Sequence, residues 1–254
     1  MFDRDTSNTG IIRAESYLNG EDALPPIGRD TEIHSIRDGV RPLTKRNTPE
    51  TLLIHGPPGS GKTVCVNYVF DALSRETRVK TIQINCWQYC TRPALLTELL
   101  IQLGYPAPRK GKPVDELLSK LREWLQKNRS VAVALDEFDQ LQDKTEVAYD
   151  LYMLSQQTEN KLGLVMTSNL PPSELLLDSR SWSRLNCRTI EFEPYTADQL
   201  KEILQETVKQ AFEPGTVNST VIDTIAEQVA DQTGDCRQAL EQLLQAGHRA
   251  IRQS

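Results

Sequence analysis

The stretch Gly56-Pro57-Pro58-Gly59-Ser60-Gly61-Lys62-Thr63 fits the pattern G-x-x-x-x-G-K-[ST] without a mismatch. Each residue type has a physical reason. Gly59 and Gly61 let the backbone curl so that successive N–H groups converge on phosphate oxygens. Lys62 supplies a compact positive charge to the same phosphates. Thr63 offers a hydroxyl to a magnesium ion, which prefers oxygen ligands. The flanks match: Thr51-Leu52-Leu53-Ile54-His55 reads as a buried strand entering the loop. Residues 63–73 read as a helix whose N-terminus faces the bound anion.

The same alternation of element types recurs along the chain. Ile33, Ile36 and Val40 recur at helical spacing, and residues 41–49 read as a polar connection. Residues 81–85 read as a second strand. Two helices follow, one carrying Leu95, Leu96, Leu99 and Leu100, the next Val114, Leu117, Leu118, Leu121 and Leu125. The uninterrupted apolar run 131–135 reads as a strand covered on both faces, as does 164–167. Residues 145–159 read as the helix between them, and 188–192 alternate like an edge strand. From Thr196 onward only helices are expected, opened by the capping box Thr196-x-x-Gln199. Residues 1–25 are polar and weakly patterned and read as an extended arm anchored by Ile11, Ile12 and Leu18. The reading is α/β: a three-layer αβα domain with a parallel sheet over 1–194, then a small all-helical lid over 195–254.

Composition narrows the function classes. At 254 residues, 38% hydrophobic and 25% charged, the chain has ample length for a core. No apolar run approaches the length of a membrane span, and the N-terminus lacks the basic-then-apolar design of a signal peptide. A net charge of −6 argues against a generally basic nucleic-acid binder, though not against a local basic patch. Five scattered cysteines fit reduced thiols, and Cys86-x-x-x-Cys90 has no second ligand pair beside it to suggest zinc.

Further candidates carry chemistry. Asp136-Glu137 closes a buried strand, where sheets of this kind place ligands. Asp136 suits the metal, and Glu137 suits orienting or deprotonating the attacking water. Asn169 ends another strand; its amide can reach the γ-phosphate or the same water, or simply start a turn. Arg184 is a candidate arginine finger, with Arg180 competing in the same segment and a plain surface arginine as the alternative. Arg237 lies in the first turn of the last helix, against the favourable sense of the helix dipole, which an anionic ligand would offset.

Taken together these pieces resemble the AAA+ ATPases, and within them the replication-initiator clade of archaeal initiators and eukaryotic origin-recognition and helicase-loading ATPases. Leu24-Pro25-Pro26-Ile27-Gly28-Arg29-Asp30 resembles the family's adenine-side turn, implying contacts from Ile27 and Arg29. The loop implies nucleotide contacts from Pro58, Gly59, Ser60, Gly61, Lys62, Thr63 and Val64. Ile84-Asn85-Cys86 with Thr91-x-Pro93 and the helix ending Leu103-Gly104 resembles the initiator-specific segment. Val133–Asp139 resembles the magnesium-site motif, Thr167-Ser168-Asn169 sensor 1, Ser183-Arg184-Leu185 the arginine-finger box and Gly234-Asp235-Cys236-Arg237 sensor 2.

The resemblance implies an Mg²⁺-dependent, slow ATPase that binds ATP or ADP and acts as a switch in DNA replication initiation. Thr63 and Asp136 would hold the metal; Glu137, Asn169, Arg184 and Arg237 would be catalytic. Expected partners are DNA, bound weakly or with help, and other AAA+ subunits or further copies of the chain, with no membrane. The expected location is cytoplasmic, with association with the nucleoid as a further option. Members of the clade continue into a winged-helix domain, and this sequence runs out with the lid. DNA contact is therefore expected from the segment after Asn85, including Arg92, with Lys110 and Lys112. Rival readings are a nucleotide-bound scaffold, a small-molecule kinase, and another AAA+ branch such as a clamp loader or transposition regulator.

Overall fold

The computed structural model describes residues 11–20, 24–106 and 111–253. The described chain falls into two compact units. One comprises Thr31–Gly56 and Cys65–Phe192; the other comprises Met1–Asp30, Pro57–Val64 and Glu193–Ser254.

The larger unit is built on a parallel sheet. Its strands are β1 (Leu52–His55), β2 (Lys80–Asn85), β3 (Val131–Asp136), β4 (Leu162–Ser168) and β5 (Arg188–Glu191), in the order β2-β3-β4-β1-β5. The period-2 geometry of a strand divides each apolar run between two faces. Leu53, Val133, Leu135, Leu164 and Met166 join one buried cluster, and Leu52, Ile54, Ala132, Ala134 and Val165 join the other. That is why β1, β3 and β4 read as unbroken apolar runs. The first cluster is closed by α4 (Arg92–Gln102), α5 (Val114–Lys127) and α6 (Lys144–Gln157). The second is closed by α2 (Asp30–Val40) and α3 (Lys62–Glu76). Because the strands are parallel, β1, β3 and β4 all end at the same edge of the sheet.

Two short elements depart from the sequence reading. Arg41–Lys45, expected as a plain connection, winds into a 3-10 helix with Pro42 in its first turn. Ser179–Leu185 forms α7, seven residues with no apolar stripe long enough to register as periodicity.

The smaller unit is helical. Its helices are α1 (Ser16–Asn19), α8 (Ala197–Ala211), α9 (Ser219–Gln232) and α10 (Cys236–Gln253). The capping box is formed: Gln199 N donates to Thr196 Oγ1 at 3.3 Å, and Thr196 N donates to Gln199 Oε1 at 3.0 Å. Such a cap is worth about 1 kcal/mol. The arm is less extended than expected. Ser16–Asn19 make a helical turn, and Leu18 is buried with Leu200, Leu204, Phe212, Ile225 and Leu243. Ile12 bridges Phe212 in antiparallel fashion. The other residues of the expected arm, 1–10 and 21–23, lie outside the described residues.

Candidate nucleotide-binding and hydrolytic site

The phosphate-binding motif occupies the turn between β1 and α3. Gly59 and Gly61 both take positive φ, 70° and 93°. Within this unit their bare α-carbons are also packed. A Cβ at Gly59 would overlap the Asp235 carboxylate, and one at Gly61 would lie 2.5 Å from the Tyr195 hydroxyl. Gly59 O accepts a hydrogen bond from Cys236 N at 3.3 Å, so the loop is tied to the start of α10.

Two features of the loop suit an anion. Lys62 is only 7% exposed, and its Nζ donates to Pro57 O at 2.8 Å. A buried ammonium is costly to desolvate, and an anion beside it lowers that cost. Ser60 is fully buried, and its Oγ has no hydrogen-bond partner among the described residues. A buried hydroxyl without a partner is a recurrent sign of a missing ligand or water. The charge and the unpartnered hydroxyl both fit a phosphate chain. Thr63 follows in the first turn of α3; Pro58 and Val64 are exposed.

At the ends of β3 and β4, hydrogen bonds gather Asp136 and Glu137 around Thr167, and a separate one ties Asn169 to Asp139. Glu137 sits in the left-handed region, φ 55° and ψ 45°, which a non-glycine residue adopts only when its surroundings hold it there. Its N–H donates to Thr167 Oγ1 at 3.1 Å, and the Thr167 hydroxyl donates to Asp136 Oδ1 at 2.5 Å. Asn169 N donates to Asp139 Oδ1 at 3.1 Å. From the adjoining strand, Asn85 Nδ2 donates to Glu137 Oε2 at 3.0 Å. The field here is negative. The Cys86 thiol is pushed up to about 12, chiefly by burial and further by Asp136, Asp139 and Glu137. Such a field suits a divalent cation. Among the described residues no group of three or more His, Cys, Asp or Glu gathers as a metal cluster. Magnesium commonly keeps several waters and takes only one or two carboxylates, so the lack of such a cluster does not speak against it.

The remaining candidates are placed as follows. Arg237 is exposed in the first turn of α10, two residues beyond the carboxylate that abuts Gly59, and its N–H donates to Asp235 Oδ1 at 2.8 Å. Arg29 is 3% exposed; Nη2 donates to Glu193 O at 2.5 Å, and the guanidinium lies 4.1 Å from the Tyr195 ring centroid. Ile27 is half-buried on the same turn. Arg184 and Arg180 are both exposed on α7, and Arg184 Nη1 donates to Tyr149 OH at 3.2 Å. The cations expected to meet DNA are less available than the sequence implies. Arg92 Nε pairs with Asp150 at 2.7 Å, both side chains partly buried, and Lys112 pairs with Glu116. Burial also raises the Asp150 carboxyl, with the Arg92 guanidinium acting in the opposite direction. Lys110 lies outside the described residues. Trp87, 65% exposed, is the large apolar side chain in that segment facing solvent. Sequence reasoning placed Asn85, Thr167, Asp139 and Asp235 only within longer motifs and gave none of them, nor Tyr195, a role of its own. Their roles depend on which strand or helix lies beside them.

Comparison with known families adds the decisive observation. Residues 45–172 match the model of the AAA domain, which is half of the chain. The chain belongs to the AAA domain family. A second AAA+ element follows, since residues 201–254 match the Cdc6 AAA+ ATPase-type lid domain. This AAA+ protein is homologous to archaeal ORC1-type DNA replication proteins. It is 33% identical over 238 residues to that of Pyrococcus abyssi, covering 89% of this chain and 57% of the relative. It is 33% identical over 254 residues to ORC1-type DNA replication protein 1 of Archaeoglobus fulgidus, covering 96% and 62%. The chain therefore spans about three fifths of the curated relatives it matches. Among solved structures, the Aeropyrum pernix ORC1 protein in complex with DNA superposes with a TM-score of 0.83 at 28% identity, covering 96% of this chain and 66% of that one. Cdc6p of Pyrobaculum aerophilum shares the fold with a TM-score of 0.86 at 22% identity, covering 96% and 68%. No helix among the described residues is long and apolar enough to cross a membrane.

Proposed function

We propose that this chain is a slow, Mg²⁺-dependent ATPase of the replication-initiator type, a nucleotide-controlled switch acting on DNA with other AAA+ subunits or further copies of itself. The observation that carries the reading is the phosphate loop: a buried ammonium at Lys62, and at Ser60 a buried hydroxyl with no hydrogen-bond partner among the described residues. Magnesium bound with ATP would supply partial neutralisation of the charge on the reacting phosphoryl group. The chain's own groups do the rest. Pro58 to Val64 bind and orient the phosphates, with Ile27 and Arg29 on the adenine side. Thr63 and Asp136 hold the ion. Glu137 takes a proton from the attacking water, Asn169 and Arg237 orient the γ-phosphate, and Arg184 reaches the nucleotide of a neighbouring subunit. Residues 1–194 act as the nucleotide-binding domain and 195–254 as the lid, in the cytoplasm at the nucleoid.

The hydrogen bonds that hold Asp136 and Glu137 on Thr167, with the negative field at the strand ends, support hydrolysis over a purely scaffolding role. With a net charge of −6 and Arg92 and Lys112 already paired, DNA binding by this chain alone is weak and falls steeply with salt.

The test is single-turnover hydrolysis with Glu137→Gln, paired with gel shifts on duplex DNA in ATP, in ADP and without nucleotide. The variant should bind ATP as the parent does and leave it intact. Equal turnover in both proteins would remove Glu137 from the mechanism, and an undetectable rate in both would leave a scaffold.

A further inference from the structure

The register of the sheet pairs Leu135 of β3 with Met166 of β4. The next residues on the two strands are Asp136 and Thr167. Thr167 is 2% exposed, so its hydroxyl must find its partners within the protein. A hydroxyl has one proton to give and lone pairs to receive with. The proton goes to Asp136 Oδ1, 2.5 Å away, because an ionised carboxylate can only accept. A lone pair receives the Glu137 N–H at 3.1 Å. Thus one oxygen fixes the plane of the Asp136 carboxylate and holds the left-handed backbone of Glu137.

We infer that Thr167 is a positioning residue for hydrolysis, setting the metal-facing carboxylate of Asp136 and the direction of the Glu137 side chain through a single hydroxyl. The inference deepens the proposed function and rests on it for the identity of the ion and the nucleotide. Two features separate it from ordinary packing. The side chain bridges two neighbouring residues with different duties, and one of them occupies a backbone conformation that strand geometry alone does not supply. A tie of the same kind, from Asn169 N to Asp139 Oδ1, runs beside it and joins the same two strand ends. That second tie does not touch Asp136 or the Glu137 backbone.

The experiment uses the full chain with Thr167→Val, which keeps the shape and removes the hydroxyl, and Thr167→Ser, which restores it. Three quantities are read. The first is the Mg²⁺ dependence of ADP binding by calorimetry, with EDTA as the metal-free arm. ADP affinity in EDTA should be unchanged, while the affinity gained from Mg²⁺ should fall about tenfold in the valine variant and return in the serine variant, the usual scale for groups that orient a metal ligand. The second is amide exchange at Glu137 in the nucleotide-free protein, which should quicken in Thr167→Val alone. The third is ATP turnover, where kcat should fall and KM stay. If valine destabilises the sheet too far to purify, Thr167→Ala read against Thr167→Ser carries the same comparison. Parental Mg²⁺ dependence and parental Glu137 exchange in Thr167→Val would overturn the inference. So would a serine variant as impaired as the valine one. Failure of the wider functional reading looks different: neither parent nor variants would gain ADP affinity from Mg²⁺, yet the exchange at Glu137 would still respond to the hydroxyl.

Discussion

Asn85 donates from Nδ2 to Glu137 Oε2 at 3.0 Å while its Oδ1 accepts from Trp87 N at 2.9 Å. One amide plane therefore faces both the carboxylate proposed to act on water and the turn that displays an exposed tryptophan. While the carboxylate holds that amide proton, it is a weaker base toward water. Asn85→Ala should raise basal ATP turnover by roughly two- to tenfold, the modest scale of one exposed hydrogen bond to a charged group. The melting temperature should barely move. A steady-state phosphate-release assay checks this, and a fall in turnover would mean that Asn85 orients Glu137 productively.

Lys62 is buried in the loop, and its Nζ donates to the carbonyl of Pro57 at 2.8 Å. Lys62→Ala should leave circular dichroism unchanged and weaken ADP and ATP binding by roughly 100-fold, as expected for a lost charge-assisted bond in a buried site. Isothermal calorimetry is the measurement. Unchanged affinity would detach the loop from nucleotide binding.

Arg184 stands exposed on α7, steadied by Tyr149. A catalytic arginine supplied to a neighbour can be worth several orders of magnitude in rate. Specific activity should therefore rise with protein concentration or with a partner ATPase. Mixing Arg184→Ala with Lys62→Ala should recover activity that neither has alone, because each brings the part the other lacks. If activity is independent of concentration and Arg184→Ala is silent, Arg180 on the same helix becomes the candidate.

The thiols of Cys86, Cys187 and Cys236 are each raised from an ordinary 9.0 to about 12, in every case mainly by burial. The folded state therefore holds these protons more tightly than the unfolded chain does. Their contribution to stability is complete below pH 9 and is lost progressively as pH climbs from 9 toward 12. Urea midpoints should fall across that window. Iodoacetamide should modify these cysteines slowly at pH 8 in the native protein and readily in urea. Fast native labelling of Cys86 at pH 8 would contradict the burial.

Much of this architecture could be read before the structure, and the omissions have physical causes. Strands covered on both faces leave an unbroken apolar run, so β3 and β4 announced themselves, and with them the acidic pair at the end of β3. The phosphate loop was legible because its demands are local: two positive-φ positions, one charge and one hydroxyl. Thr167 and Asn85 were not legible as functional residues. Their partners are set by strand order and register, and a Thr or Asn near a strand end is commonplace in sequence. The ion pair of Arg92 was hidden for the same reason. Its partner Asp150 lies 58 residues away, and no periodicity links them. Helix α7 escaped because seven polar-rich residues cannot establish a stripe.

The bridge between Ile12 and Phe212 carries a consequence for how this chain acquires its shape. Arg13 Nη2 reaches Lys209 O across 196 residues of sequence, so contacts made by the first described segment wait for nearly the last. Closing so large a loop carries an entropic cost that local helix formation does not. On the ribosome the apolar side chains of Ile11, Ile12 and Leu18 emerge long before the helices that cover them. A sheet able to form first would leave these side chains exposed until synthesis reaches α10. The closing step would then be the docking of the N-terminal segment, and the interval before it is when the nascent chain most needs a chaperone.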